Sequence, residues 1–251
     1  MKSGFLLTAT LGIAAFLAVT LTGCLCLPCG FPAIGPRPEV TGSSNMATWE
    51  YEFADFTDVS VSSAFTVDVS MSDSYSVSVT ANDNLLDYLN VYQRGETLYI
   101  GLKSANYHNV RYEASITMPV LLDLELSGAS KGSISGFSSA NPLKLRLSGA
   151  SRLSGSIEAG DCSFNLSGAS RLELAGSGSD ADINASGASA VALADFPIND
   201  AKVNLSGASN ATLNLDGRLD ANLSGYSHIE YTGEPTLGSI KTSGGSTVSA
   251  Q

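Results

Sequence analysis

Seven copies of Ser-Gly-x-Ser punctuate the second half of this chain at a nearly fixed interval. They begin at Ser127-Gly128, Ser148-Gly149, Ser167-Gly168, Ser186-Gly187, Ser206-Gly207, Ser224-Gly225 and Ser243-Gly244, with spacings of 21, 19, 19, 20, 18 and 19 residues. A unit this short cannot bury an apolar face alone, so a sustained period means that neighbouring units stack into a solenoid. Aligning the copies on their first Ser leaves apolar columns one, three and five residues earlier: Leu147, Leu145 and Leu143 in the second copy, Leu166, Phe164 and Cys162 in the third. Further apolar columns stand five and seven residues later, as at Leu172 and Leu174. Each copy therefore supplies one alternating strand before the corner and one after it. No 3.6-residue period and no leucine-rich consensus is present, and the crossovers are too short for helices. The expected fold is all-β: a single-stranded parallel β-helix of about seven coils, roughly 34 Å long at about 4.8 Å per coil.

The outward columns test this register. Two residues before the Ser stand Glu125, Arg146, Asn165, Asn184, Asn204, Asn222 and Lys241; four before stand Asp123, Lys144, Ser163, Asp182, Lys202, Asp220 and Ser239. Stacked in register, Glu125 meets Arg146, Asp123 meets Lys144, and Lys202 falls between Asp182 and Asp220, as cross-strand pairing favours. The four Asn residues predict an amide ladder. Their Asn-x-Ser sequons are by-products of the ladder. The corner Gly serves a positive φ or a close backbone approach, and the flanking Ser hydroxyls serve local backbone or the neighbouring coil. Cys162 is expected as a buried thiol between Leu143 and Ala181. Tyr226 replaces the Ala of other corners, either filling space beside Ala221 or turning outward.

Upstream, Phe65-Thr66-Val67-Asp68-Val69, Tyr75-Ser76-Val77-Ser78-Val79, Leu98-Tyr99-Ile100 and Ile116-Thr117-Met118 alternate as strands, which places an irregular N-terminal β region of the solenoid at 49–121 and the repeat at 122–251. Residues 24–48 hold four of the eight prolines and read as an extended tether. Residues 1–23 combine Lys2, an apolar stretch and Leu21-Thr22-Gly23 before Cys24, the pattern of a signal peptide ending in a lipobox. Cleavage before Cys24 and lipidation of its thiol and new amino group are expected, making the membrane a partner through that anchor. By resemblance to enterobacterial lipoprotein sorting, Leu25 in place of Asp favours the outer membrane in a Gram-negative source. Cys26 and Cys29 form a local disulfide or remain free tether thiols; zinc would want a second pair.

A formal charge of −11 excludes a nucleic-acid binder that relies on overall basic charge. Four residues after the first Ser, Lys131, Arg152 and Arg171 stack as a candidate anion-binding strip on this acidic body.

In order, Phe56-x-x-Val59, Phe65-x-Val67-x-Val69, Tyr75-x-Val77-x-Val79, Leu89-x-Val91, Gly95-x-x-Leu98-x-Ile100 and Ile116-x-Met118-Pro119, followed by repeated Leu-Ser-Gly-Ala-Ser, resemble the auto-transporter adhesin head GIN domain family across residues 50–251. The resemblance implies a secreted or lipid-anchored all-β protein on a β-helical body, with no catalytic residues to carry over. The expected function is a non-enzymatic envelope lipoprotein acting as an adhesin-like interaction module, on its periplasmic or surface face, toward an envelope, glycan or protein partner.

The alternative is a carbohydrate-active β-helix enzyme. Asp195 with Asp200, or Asp180 with Asp182, could meet the carboxylate separation that glycoside hydrolysis needs. The connections that would build a cleft, however, are none longer than eight residues. Gly176-Ser177-Gly178-Ser179-Asp180 resembles a glycine/aspartate calcium turn in one copy only. No cofactor or metal is expected. The final coil, Ile240 to Gln251, leaves a strand edge on which two chains would pair end to end; its thin apolar content favours an edge that is simply tolerated.

Overall fold

The computed structural model describes residues 37–251. The expected leader, the lipid site Cys24, the Cys26/Cys29 pair and the first part of the tether lie outside the described residues.

Nine strands precede the repeat: β1 (Glu39–Thr41), β2 (Met46–Tyr51), β3 (Asp58–Val61), β4 (Thr66–Met71), β5 (Ser76–Asn82), β6 (Leu89–Arg94), β7 (Thr97–Leu102), β8 (Asn106–His108) and β9 (Tyr112–Met118). Before each Ser-Gly corner comes an even-numbered strand: β10 (Asp123–Leu126), β12 (Leu143–Leu147), β14 (Cys162–Leu166), β16 (Ala181–Ala185), β18 (Ala201–Leu205), β20 (Arg218–Leu223) and β22 (Thr236–Thr242). After each corner comes an odd one: β11 (Lys131–Ser138), β13 (Arg152–Glu158), β15 (Arg171–Ser177), β17 (Ala190–Asp195), β19 (Asn210–Asn214), β21 (His228–Thr232) and β23 (Thr247–Ala250). The even strands stack in parallel into one sheet and the odd strands into another, a parallel β-solenoid of about six turns.

Alternation drives this packing. In β12, β14 and β16 every second residue is buried, and the buried positions face the same interior from coil to coil. Phe164 and Phe196 meet edge to face inside it, with ring centroids 6.4 Å apart. Cys162 is 4% exposed and pairs in register with Leu143 on one side and Ala181 on the other. The corner glycines have φ between 64° and 81°. A Cβ at Gly168, Gly187, Gly207 or Gly225 would also strike the carbonyl of the corner glycine one coil before it. Both reasons for glycine therefore hold at the same position.

The second Ser of the first six corners is a buried hydroxyl: Ser130, Ser151, Ser170, Ser189, Ser209 and Ser227 are at most 1% exposed. Each donates to the carbonyl of the Ser three residues before it, at 2.7–3.0 Å. The bond closes the turn locally and satisfies a polar atom inside an apolar core.

The region before the repeat continues the solenoid and, as expected, is irregular in the order and direction of its strands. Strand β3 pairs in parallel with β10, and β4 with β11. On their far side β7 pairs in parallel with β3, and β9 with β4. Two more rungs thus precede the repeat, and their spatial order differs from chain order because β3 and β4 lie between β7/β9 and β10/β11. Antiparallel strands close this end: β6 on β7, and β5 then β2 on β9. A short 3-10 turn, Asp83–Tyr88, buries Leu85 beside them.

Residues 39–48 also depart from the expected tether, since β1 and β2 begin inside it. Strand β1 pairs with β8, Val40 is buried, and the Glu39 carboxylate accepts hydrogen bonds from Asn106 and pairs with His108. Prolines dominate the stretch before these residues, but Val40, Trp49 and Tyr51 carry enough apolar surface to dock.

At the other end β22 and β23 are edge strands. Here one column shifts: Leu237, not Gly238, pairs with Leu219, and a bulge follows. The Asp220 carboxylate accepts the Ser239 N–H at 2.6 Å, and a Cβ at Gly238 would press on the Arg218–Asp220 pair.

Candidate functional site

Outward positions of the even sheet form one continuous row across every strand. From the closed end it runs Tyr92, Tyr99, Ser60, Glu125 and Arg146. It continues through Asn165, Asn184, Asn204, Asn222 and Lys241. Strand alternation puts all ten side chains on the face opposite the core.

A groove of about 610 Å³ lies along this row from Glu125 and Arg146 to Asn222, walled on the corner side by Ser148, Ser167, Ser186, Ser206 and Ser224. The predicted ladder is present over three of its four residues: Asn184 donates to Asn165 at 3.3 Å and Asn204 to Asn184 at 3.0 Å. Asn165 also donates to Ser163, and Asn184 to Asp182. An amide has two N–H donors and two acceptor lone pairs. The second N–H of Asn204 and the whole amide of Asn222 are thus left to face the groove.

Above the ladder, Arg146 bridges Glu125 at 3.3 Å and Asp123 at 3.2 Å, with Lys144 3.9 Å from Asp123. Burial nonetheless raises the Asp123 carboxyl above its ordinary pKa, because one of its oxygens is enclosed without a partner while Arg146 and Lys144 pull it down only in part. At the far end Tyr92 and Tyr99 stack almost parallel, centroids 4.9 Å apart, with Tyr92 43% exposed. Sequence reading placed the Asn ladder and the Glu125–Arg146 pair but missed the tyrosines and Ser60. The available signal was Asp58-Val-Ser-Val-Ser-Ser-Ala-Phe65 laid over Asp123-Leu-Glu-Leu-Ser-Gly-Ala-Ser130.

Lys131, Arg152 and Arg171 lie in direct register on the odd sheet, as aligned, with Thr66 upstream of them. Arg171 is partly neutralised by Glu173 at 3.2 Å. The first Ser of five corners walls the groove, whereas the second is spent on backbone.

Two of the carboxylates weighed for catalysis, Asp180 and Asp200, are engaged in joining coils, and Asp182 accepts from Asn184 on its own strand. Asp180 accepts from Asn199 at 3.0 Å and from the Asp200 N–H at 3.1 Å, and these bonds hold its carboxyl below the ordinary range. Asp200 in turn accepts the Arg218 N–H at 2.7 Å. A general acid in glycoside hydrolysis needs a raised pKa. Gly176 and Gly178 of the suspected calcium turn pack over the Ile157 carbonyl and the Phe196 ring. Among the described residues no cluster of three or more His, Cys, Asp or Glu is placed to hold a metal ion, and no helix is long and apolar enough to cross a membrane.

The same fold occurs in solved structures of Bacteroides and Parabacteroides proteins. A protein of Bacteroides fragilis described as a "putative adhesin" superposes with a TM-score of 0.79 at 19% identity, covering 84% of this chain and 100% of that one. A "putative lipid binding protein" of Parabacteroides distasonis gives 0.71 at 21% identity over 85% and 99%, and a "putative adhesin" of Parabacteroides merdae gives 0.65 at 19% over 85% and 99%. No curated protein matches the chain. The family model described as "Putative auto-transporter adhesin, head GIN domain" matches residues 55–235, and the chain belongs to that family.

Proposed function

We propose that this chain is a cell-envelope lipoprotein whose β-solenoid is a non-enzymatic, adhesin-like interaction module. The observation that carries the reading is the unbroken outward row of the even sheet, a polar surface about as long as the rod with its groove open to solvent. Adhesion and scaffolding use extended faces of this kind, whereas small-molecule chemistry favours enclosed sites. Family membership supports the same reading. The buried Ser column has no nucleophilic role, since each hydroxyl already donates to a carbonyl. Lipidation at Cys24, in the segment Leu21-Thr22-Gly23-Cys24, would hold the module to the membrane, in the outer membrane if sorting follows Leu25. The Lys131–Arg152–Arg171 strip is a second contact surface, suited to anionic groups.

Two measurements test this. The purified chain is incubated with isolated envelopes and extracellular glycans while retention and cleavage products are followed; retention without turnover is expected, and released product would favour the carbohydrate-active enzyme. Replacing Cys24→Ala should abolish acyl labelling and membrane fractionation; unchanged labelling would remove the anchor from this position.

A further inference from the structure

We infer that the groove of the even sheet is a binding track for a linear, uncharged polysaccharide, lying along the rod with the Tyr92/Tyr99 pair as an aromatic platform at one end. The inference rests on the interaction-module reading above and names its ligand class.

Three features select this occupant. The first is periodicity. The groove spans five strand intervals from Glu125 to Asn222, about 24 Å at roughly 4.8 Å each. A ligand with one hydrogen-bonding unit per interval meets the same partners at every step, and an extended chain of pyranose rings presents its hydroxyls at a comparable repeat.

The second is chemistry. Sugar hydroxyls both donate and accept, and so do amides and Ser hydroxyls. The Asn204 and Asn222 amides keep unused donors and acceptors on the groove side, opposite a wall of Ser167, Ser186 and Ser206. From Asn165 to Asn222 the row carries no charge on a chain whose net charge is −11. An anionic chain would be repelled and a cationic one would find no counter-ion in the row. Glu125 and Arg146 neutralise each other at the groove's upper end.

The third is the platform. Tyr99 and Tyr92 lie in register with the row, two and three intervals beyond Glu125, and Tyr92 leaves ring surface exposed. Aromatic faces pack against the apolar C–H side of a pyranose ring and combine a dry contact with a polar rim. An amide ladder alone would serve the fold; tyrosines stacked in line with it on the surface contribute no core packing.

The test uses the full-length chain purified in detergent. Calorimetric titration is run with hexasaccharides of β-1,4-linked glucose, N-acetylglucosamine and mannose, with their mono- and trisaccharides, and with a hexamer of galacturonic acid. At least one neutral hexasaccharide is expected to bind more than tenfold tighter than its monosaccharide, and tighter than the acidic hexamer. Asn204→Ala is expected to weaken that binding about fivefold, the loss of one hydrogen bond. Tyr92→Ala should weaken it by a similar or larger factor while leaving Cys162 as slow to alkylate as in the parent, which shows that the coils remain stacked. Binding to none of the three neutral hexasaccharides, equal binding of monomer and hexamer, or affinity unchanged by both substitutions would overturn the inference. Retention on envelope or extracellular material that excess hexasaccharide does not displace would sink the glycan track alone, whereas no retention on any such material would sink the interaction module itself.

Discussion

The two ends of the rod are finished in opposite ways. At one end β6 covers β7, and β5 and β2 cover β9, each in antiparallel pairing, so the last parallel rung is sealed by strands that run the wrong way to continue it. At the other end β22 and β23 are exposed along most of their length, with Leu237 49% exposed and Tyr226 79% exposed beside them. Stacked coils derive stability from neighbours on both sides. Cooperative stability should therefore be greatest from the closed end through the middle and decline toward Gln251, the end where a partner strand would add.

The sharpest way to break this comparison is to make the same kind of cut at both places. Phe164→Ala, in the interior against Phe196, is expected to cost about 3–5 kcal/mol by urea denaturation, while Ile240→Ala in the partly exposed last even strand should cost under about 1 kcal/mol. Equal costs would mean that the open end is as cooperative as the middle.

A second comparison sets corner against corner. Gly187 has φ 78° and the Gly168 carbonyl directly behind it, so Gly187→Ala should cost more than about 2 kcal/mol from strain and displacement together. The corner of β3 and β4 carries Ser63 at φ 64° with no repeat corner upstream of it, because the chain between β7 and β9 leaves through β8. Ser63→Gly should be close to neutral, within about 1 kcal/mol, since relief of the positive φ is offset by the greater freedom of glycine in the unfolded chain. Thermal unfolding of the two variants beside the parent checks both.

The smallest effect is electrostatic. Hydrogen bonds from Arg218, then the Ser239 N–H, hold the half-buried Asp220 carboxyl down to about 2. Its folded pKa lies below the ordinary value near 4, so its contribution to stability is present above about pH 4 and lost as pH falls toward 2. Asp220→Asn should flatten the stability-against-pH profile in that window only, with the loss confined to the β20–β22 contact.

Much of this was legible in the sequence. Period-2 alternation and a fixed corner specify which residues face inward, and from that alone follow the burial of Cys162, its thiol pushed up to about 12 by desolvation, and the Asn165–Asn184–Asn204 ladder. What stayed hidden lay where one copy departs from the rule. In the β3–β4 coil Ser63 stands for the corner Gly, and Phe65 stands for the buried Ser and packs on Tyr112 at 4.5 Å. Shape can fill a site that hydrogen bonding fills elsewhere, and no residue count reveals it. The insertion of that coil between β7/β9 and β10/β11 was equally hidden, because sequence alignment orders repeats along the chain and this stack does not. Tyr226 turns outward because the next coil offers Gly245, over whose backbone the ring lies.

The stacking order beneath the outward row can be measured directly. Spin labels are placed at Asn204 paired with Ser60, and at Asn204 paired with Tyr99, and the distances read by pulsed electron resonance. With β3 between β7 and β10, Ser60 lies five strand intervals from Asn204 and Tyr99 six, which predicts about 24 Å and about 29 Å at roughly 4.8 Å per interval. A shorter distance from Tyr99 than from Ser60 would mean that the rungs stack in chain order, and the row that joins the tyrosines to the asparagine ladder would not exist.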